Sequence, residues 1–220
     1  MKIRSFIIAL LGVILLSQFA FADEKYALIE LNGSVNPVIA DYIVNSIKKA
    51  NQENMQFVVM VMDTPGGLLN AMRDIIKSIL DSNIPVIVYT YPKGAQAASA
   101  GGFIMISAHI AAMSPGTEIG AMHPVSPFLN FSQDQKSDGI MEKKVLNDTV
   151  AYARSLAQLR KRNVAWVEKA IREAISSTNN EALRLGVIDI VANDIDDLLQ
   201  KIDGKLVKTK DKIVTLHTNN

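Results

Sequence analysis

The run PKGAQAASAGGFI, Pro92 to Ile104, holds a single serine, Ser99, among alanines and glycines. Small neighbours leave room around a hydroxyl. The serine falls after a strand-like segment and near the first turn of a helix-like one, where backbone N–H groups lack helical partners and carry partial positive charge. A second small-residue stretch, MDTPGGLLN, sets Gly66 and Gly67 between another strand and helix. Glycine permits close approach of a ligand to the backbone, and free amides there can donate to a carbonyl oxygen as it gains charge. Attack by Ser99 would then leave an oxyanion held by the amides of Gly67 and Ala100. The same residues also fit plain packing, AASAGG as a close-packed helix and TPGG as a tight turn.

A serine hydroxyl is a weak nucleophile until a base removes its proton. Three histidines are available, His109, His123 and His217. His217 lies near the C-terminus and reads as surface, His109 ends a helical segment and reads as packing or capping, and His123 in GAMHPVS is the histidine candidate. A lysine can serve if its reference pKa of about 10.4 falls through burial. Lys143 and Lys144 open a helical segment from which an amine can reach the mouth of such a site.

The elements that must position these groups alternate. YALIEL, FVVMVMD and PVIVYTY are short apolar β-rich runs, as expected of strands covered on both faces. Between them NPVIADYIVNSIKKANQEN and LLNAMRDIIKSILDSN carry apolar residues at helical spacing. Strand alternating with helix predicts a parallel sheet with right-handed crossovers. SAGGFIMISAH predicts a helix, IAAMS a short strand and PGTEIG a turn, and the polar stretch Pro124–Gly139 reads as a long loop, with SPFLNF (Ser126–Phe131) a candidate substrate lid. Helical periodicity resumes in KKVLNDTVAYARSLAQLRKR and VAWVEKAIREAI. In STNNEALRLGVIDIV, Thr178 caps a short helix, Gly186 ends it and VIDIV returns as a strand. DIDDLLQKIDG predicts a last helix.

The 220 residues suffice for one domain with a real core. With 23 Lys+Arg against 22 Asp+Glu, the net charge of +1 gives no pull toward nucleic acid. The absence of cysteine excludes disulfides, thiolate zinc sites and a cysteine nucleophile. No metal or organic cofactor is expected, since no metal-spaced cluster is visible and TPGG lacks the Lys-Ser/Thr of a phosphate-binding loop. Lys2 and Arg4 precede an apolar run that closes on Ala20-Phe21-Ala22, the layout of a secretory signal. The expected organisation is a signal peptide over 1–22, an extracytoplasmic domain over 23–204, and a weakly ordered tail over 205–220. Retention of the apolar segment as a membrane anchor is the alternative.

DTPGG, GAQAASAGGFI, PGTEIGAMHPV, KVLNDTVAYARSLAQLRKRN and EALRLGVID occur in that order. Together they resemble the N-terminal protease domain of the NfeD family, membrane-associated serine proteases. The resemblance implies an α/β, ClpP/crotonase-like fold with parallel β-sheet layers flanked by helices. It implies a serine endopeptidase with a Ser–Lys dyad: Ser99 as nucleophile and Lys144, the residue before VLND, as base. Lys143 and His123 stay as alternatives. A triad built on His123 would need an orienting carboxylate, and where ClpP-like enzymes supply it this chain has Ala174, with Glu173 adjacent. The resemblance further implies hydrophobic segments of membrane proteins as substrates, a stomatin-like partner, a homo-oligomer of two or more copies, and the short form of the family. A cleft that holds a hydrophobic tail without cutting it is the rival from another class. Acyl-CoA chemistry, known on the same fold, sits poorly with a secretory signal.

Overall fold

The computed structural model describes residues 25–124 and 135–218. The proposed signal segment and the SPFLNF stretch lie outside these residues.

Three of the apolar runs are strands, β1 (Ala27–Asn32), β2 (Val58–Asp63) and β3 (Val86–Thr90). The second and third are continuously apolar because both faces of the sheet are covered. Alternate residues enter two separate cores. Val58, Met60 and Met62 belong to the larger one, while Phe57 and Val59 join Ile87, Tyr89 and Ile110 in the smaller. Two short strands, β4 (Gln96–Ala98) and β6 (Glu118–Gly120), flank β5 (Ile110–Met113), and β7 (Ser176–Thr178) and β8 (Ile190–Val191) follow. The main sheet is parallel, in the order β1-β2-β3-β5-β8. Its register sets Val58 opposite both Ala27 and Val86, Ile87 opposite Ile110, and Ala112 opposite Ile190. A second sheet pairs β4 parallel to β6 and β6 antiparallel to β7.

Helices α1 (Pro37–Gln52), α2 (Leu69–Leu80), α3 (Ala100–Ser107), α4 (Gln135–Leu159) and α5 (Val164–Arg172) contribute to the larger core. Local signals fix their ends. Asn36 Oδ1 accepts from the Ile39 amide at 3.0 Å, and Pro37 follows with the φ a first helical turn needs. Helix α6 (Asn179–Arg184) begins in the reciprocal bonds between Thr178 and Glu181 and runs out at Gly186, φ 68°. Helix α7 (Ile195–Ile202) starts on Asp194, whose side chain accepts from the Asp197 amide, and buries Leu198 and Ile202 in the smaller core.

Three expectations are corrected. PGTEIG is not only a turn, because Glu118–Gly120 is strand β6, paired on both sides. The polar stretch is shorter than read, because α4 begins at Gln135. The tail is a hairpin, β9 (Leu206–Lys208) antiparallel to β10 (Ile213–Thr215), with Val207 and Leu216 buried against the smaller core. Each strand is only three residues long, and its exposed positions include the apolar Leu206 and Ile213, so no alternation of apolar and polar residues marks it.

His109 packs as expected. Its Nδ1 accepts from the Val86 amide at 3.1 Å, and the Val86 carbonyl accepts from the His109 amide. Burial, with the nearby Arg160 charge, lowers the imidazole from 6.5 to about 3. Above pH 6.5 the ring is neutral folded or unfolded. Between 6.5 and about 3 the unfolded chain takes up a proton that the folded chain refuses, so stability falls as pH falls. Urea midpoints of the wild type are expected to drop across this window with a slope approaching about 1.4 kcal/mol per pH unit from this group. His109→Asn, whose amide oxygen can accept from Val86, should flatten that part of the profile.

Candidate active site

Strand β4 runs into Ser99, and α3 begins at the next residue. Ser99 has φ 51° and ψ −114°, a left-handed conformation in a residue with a side chain. Such strain costs about 1–3 kcal/mol and persists only where the surroundings over-determine it. Here they do. The Ser99 amide donates to the Gly120 carbonyl and its carbonyl accepts from the Gly102 amide, each at 3.0 Å. One residue earlier the strand is tied to β2's end, with Thr64 N–H on the Gln96 carbonyl at 2.8 Å and Ala98 N–H on the Thr64 carbonyl at 3.1 Å. A strained serine between strand and helix is the geometry of a nucleophile elbow, which turns the hydroxyl outward. Ser99 is half-buried, and its hydroxyl does not cap the helix it precedes.

The glycines bring the two stretches together. A Cβ on Gly66 would lie 2.6 Å from Ser99 Cβ, 3.0 Å from Ser99 Oγ and 3.2 Å from the Ala100 nitrogen. One on Gly67 would strike the Val35 carbonyl. On the other side of the serine, a Cβ on Gly101 would come within 2.6 Å of Thr64 Cγ2, and one on Gly102 within 2.8 Å of Met122 Cγ. The small-residue run therefore packs tightly and, by packing, presses the TPGG turn against Ser99. Neither the Gly67 nor the Ala100 amide has a hydrogen-bond partner among the described residues. Both expected oxyanion donors are free, and Ala100 is the first residue of α3.

Helix α3 is buried along its whole length, so its far end needs internal partners. Arg160 Nε donates to the Ser107 carbonyl at 2.8 Å, and Arg162 donates to the carbonyls of Ile106, Ala108 and Val187 and to Asp189 Oδ2 at 2.9–3.2 Å. Burial and the adjacent Arg162 charge lower Arg160 to about 10, which leaves it cationic at neutral pH. Two cations at the C-terminus complement the helix dipole.

The candidate bases are distributed differently. Lys143 and Lys144 are both exposed on α4, and no hydrogen bond joins Lys144 to Ser99 in this structure. The direction of α4 is nonetheless set by two contacts. Phe103 stacks on Tyr152 with ring centroids 6.5 Å apart, and Ser107 meets Arg160. Both helices thus run away from the Ser99 end, and the part of α4 before Tyr152 lies toward it. His123 is half-buried, with Nδ1 2.8 Å from the Ile171 carbonyl. A carbonyl only accepts, so Nδ1 carries the proton. Among the described residues no carboxylate takes that place: Glu173 is exposed and Ala174 has φ 53°. His217 is exposed.

Residues not singled out from the sequence also build the site. Thr64, Val35, Gly120 and Met122 pack against the turn and the elbow, and only Thr64 lies in a stretch whose glycines suggest close backbone approach. Arg73, its guanidinium 4.3 Å above the Tyr152 ring, links α2 to α4.

Comparison with known proteins agrees with the fold. Residues 25–212 match the family described as NfeD1b, N-terminal domain. The chain is 38% identical over 221 residues to the membrane-bound protease PH1510 of Pyrococcus horikoshii, covering 99% of this chain and 49% of that protein. It is 31% identical over 146 residues to the membrane protein NfeD1b of Bacillus subtilis, covering 64% of this chain and 32% of that one. The chain thus spans half or less of the length of these relatives. Among solved structures it superposes on 1510-N, a membrane-bound stomatin-specific protease. A lysine-to-alanine variant of 1510-N in complex with a substrate peptide gives TM-score 0.80 at 37% identity, covering 91% of this chain and 90% of that one. A serine-to-alanine variant gives 0.81 at 36%, covering 91% and 96%. The shared architecture is the α/β fold with a parallel sheet and flanking helices described above. The chain belongs to the family of NfeD1b N-terminal domains.

Proposed function

We propose that this chain is a serine endopeptidase that cuts apolar segments of membrane proteins, using Ser99 as nucleophile and Lys144 as general base. The observation that carries the proposal is the strained Ser99 elbow lying against a glycine turn, with the amides of Gly67 and Ala100 free of partners among the described residues. A cleft that only binds peptide has no use for a strained serine, whereas acyl transfer has. Relatives described as proteases, one as stomatin-specific, support the same reading and a stomatin-like partner. They are also described as membrane-bound, in keeping with a protein held at a membrane, although no helix of the described residues is long and apolar enough to cross one.

In the proposed cycle Lys144, stripped of water once substrate covers it, takes the Ser99 proton as Oγ attacks the peptide carbonyl. The Gly67 and Ala100 amides hold the resulting oxyanion, the protonated lysine gives its proton to the leaving amine, and water hydrolyses the acyl-enzyme. Two features of α4 support Lys144. The helix is oriented with its early part toward the Ser99 end, and eight residues, about 12 Å of helix, separate Lys144 from the Phe103 contact at Tyr152. Its exposure in the free protein is consistent with a base that closes over substrate, since apo geometry does not rule out a catalytic group. Apolar side chains flank both halves of the site and fit an apolar substrate: Leu68 and Leu69 after the glycine turn, Ile140, Met141 and Val145 around Lys144, all exposed.

Peptidase assays on an apolar peptide test the assignment. Ser99→Ala should fall to background and Lys144→Ala by about 10²–10⁴-fold, with Lys143→Ala unchanged; full turnover in either of the first two refutes it. Fluorophosphonate should label Ser99 in the wild type, and peptide binding without labelling would favour the non-catalytic cleft. Gly66→Ala, whose methyl has no space beside Ser99, should lower kcat by about 10²-fold or more, comparable with loss of one oxyanion donor. Its binding of the same peptide, measured on the Ser99→Ala background, should change little.

A further inference from the structure

Thr64, just beyond the end of β2, is fully buried. Its hydroxyl accepts from the Gly66 amide at 3.1 Å and lies 3.3 Å from the Gly66 carbonyl, to which it donates. The same carbonyl accepts from the Val35 amide at 2.8 Å. A trans peptide is planar, with its N–H opposed to its C=O. Whatever holds the Gly66 carbonyl therefore aims the Gly67 N–H in the opposite direction, the one in which it serves as an oxyanion donor. Some such hold is needed, because this peptide has glycine on both sides, with φ 110° at Gly66 and 158° at Gly67. A peptide between two glycines can rotate to the opposite orientation at little steric cost. Neither residue can be made stiffer by adding a Cβ, since Ser99 and Val35 occupy the space.

We infer that the Thr64 hydroxyl is a positioning residue for the oxyanion hole: with the Val35 amide, it locks the Gly66–Gly67 peptide with the Gly67 N–H turned toward the reacting carbonyl. The inference rests on the peptidase reading for its catalytic consequence, but not for the lock itself. Thr64 also couples the lock to the nucleophile. Its backbone joins β4 on the strand leading to Ser99, and its Cγ2 faces Gly101 in the first turn of α3. The donor loop and the elbow are thus held by one side chain, the hydroxyl serving the first and the methyl the second.

Thr64→Val keeps the shape and the methyl and removes the hydroxyl, while Thr64→Ser keeps the hydroxyl. On an apolar peptide, Thr64→Val should lose about tenfold or more in kcat with KM nearly unchanged, a fraction of the roughly 10²–10³-fold that complete loss of an oxyanion donor costs. Thr64→Ser should recover most of it. A merely structural role would instead lower the amount of folded enzyme without this split, and thermal melts would report it. The second readout needs no activity. In ¹⁵N-labelled protein the Gly67 amide should show microsecond-to-millisecond exchange in Thr64→Val that is absent from the wild type and from Thr64→Ser. Exchange in an enzyme that neither cleaves nor labels would uphold the lock and overturn the peptidase reading. A quiet Gly67 amide with wild-type kcat in Thr64→Val would overturn the lock and leave the peptidase reading intact. Should Thr64→Val not fold, Thr64→Ala is measured by the same two readouts against Thr64→Ser.

Discussion

The contact between the Gly66 backbone and Ser99 is the constraint on which the rest of the site depends. Two loops distant in sequence meet so closely that a single methyl group on the glycine would come within 2.6 Å of the serine Cβ. Gathering them requires β2 and β4 to end side by side, which the Thr64–Ala97 bridge accomplishes. It also requires α3 to start within a residue of the elbow and to approach Thr64 and Met122 through glycines. The close-packed interior that makes this geometry possible also makes it rigid, because displacing any one partner has no empty space to move into.

Electrostatics follow from the same packing. An apolar helix with all eight residues buried leaves its terminal backbone groups to find partners inside the protein. At the carboxyl end two arginines provide them, and one of those, Arg162, is itself held by Asp189. At the amino end the Gly102 amide donates to the Ser99 carbonyl, while the Ala100 amide has no partner among the described residues. Positive groups thus saturate the carboxyl end of the helix, complementing its dipole, while its first amide stays without a partner among the described residues.

Much of this was legible in the sequence, and the illegible parts have physical causes. The three apolar strands, the helices between them and the caps at Thr178 and Gly186 announce themselves through composition and period. Ser99, Gly67 and Ala100 could be named because strand, small residue and helix succeed one another there. The conformation of Ser99 could not, since nothing in an isolated serine calls for positive φ; Gly120, Gly102 and Thr64 impose it from elsewhere in the chain. Thr64 was hidden for the same reason, as a threonine at a strand end is ordinary until its partner peptide is seen. The terminal hairpin is hard to read from the sequence because each strand has only three residues, and Leu206 and Ile213 are exposed although apolar. Lys144 is named by the motif around it, whereas in the structure its side chain is exposed on α4.

Helix α4 has two characters along its length. Its later half, with Val150, Ala153, Leu156 and Ala157, is sunk in the larger core, while residues 140–145 are exposed. Diversification can therefore proceed unequally. Exchanges in the outer turns leave its thermodynamic stability almost untouched, whereas the inner turns tolerate little change. A lineage bearing this helix can drift at a handful of surface positions while the inner turns stay an inherited constant.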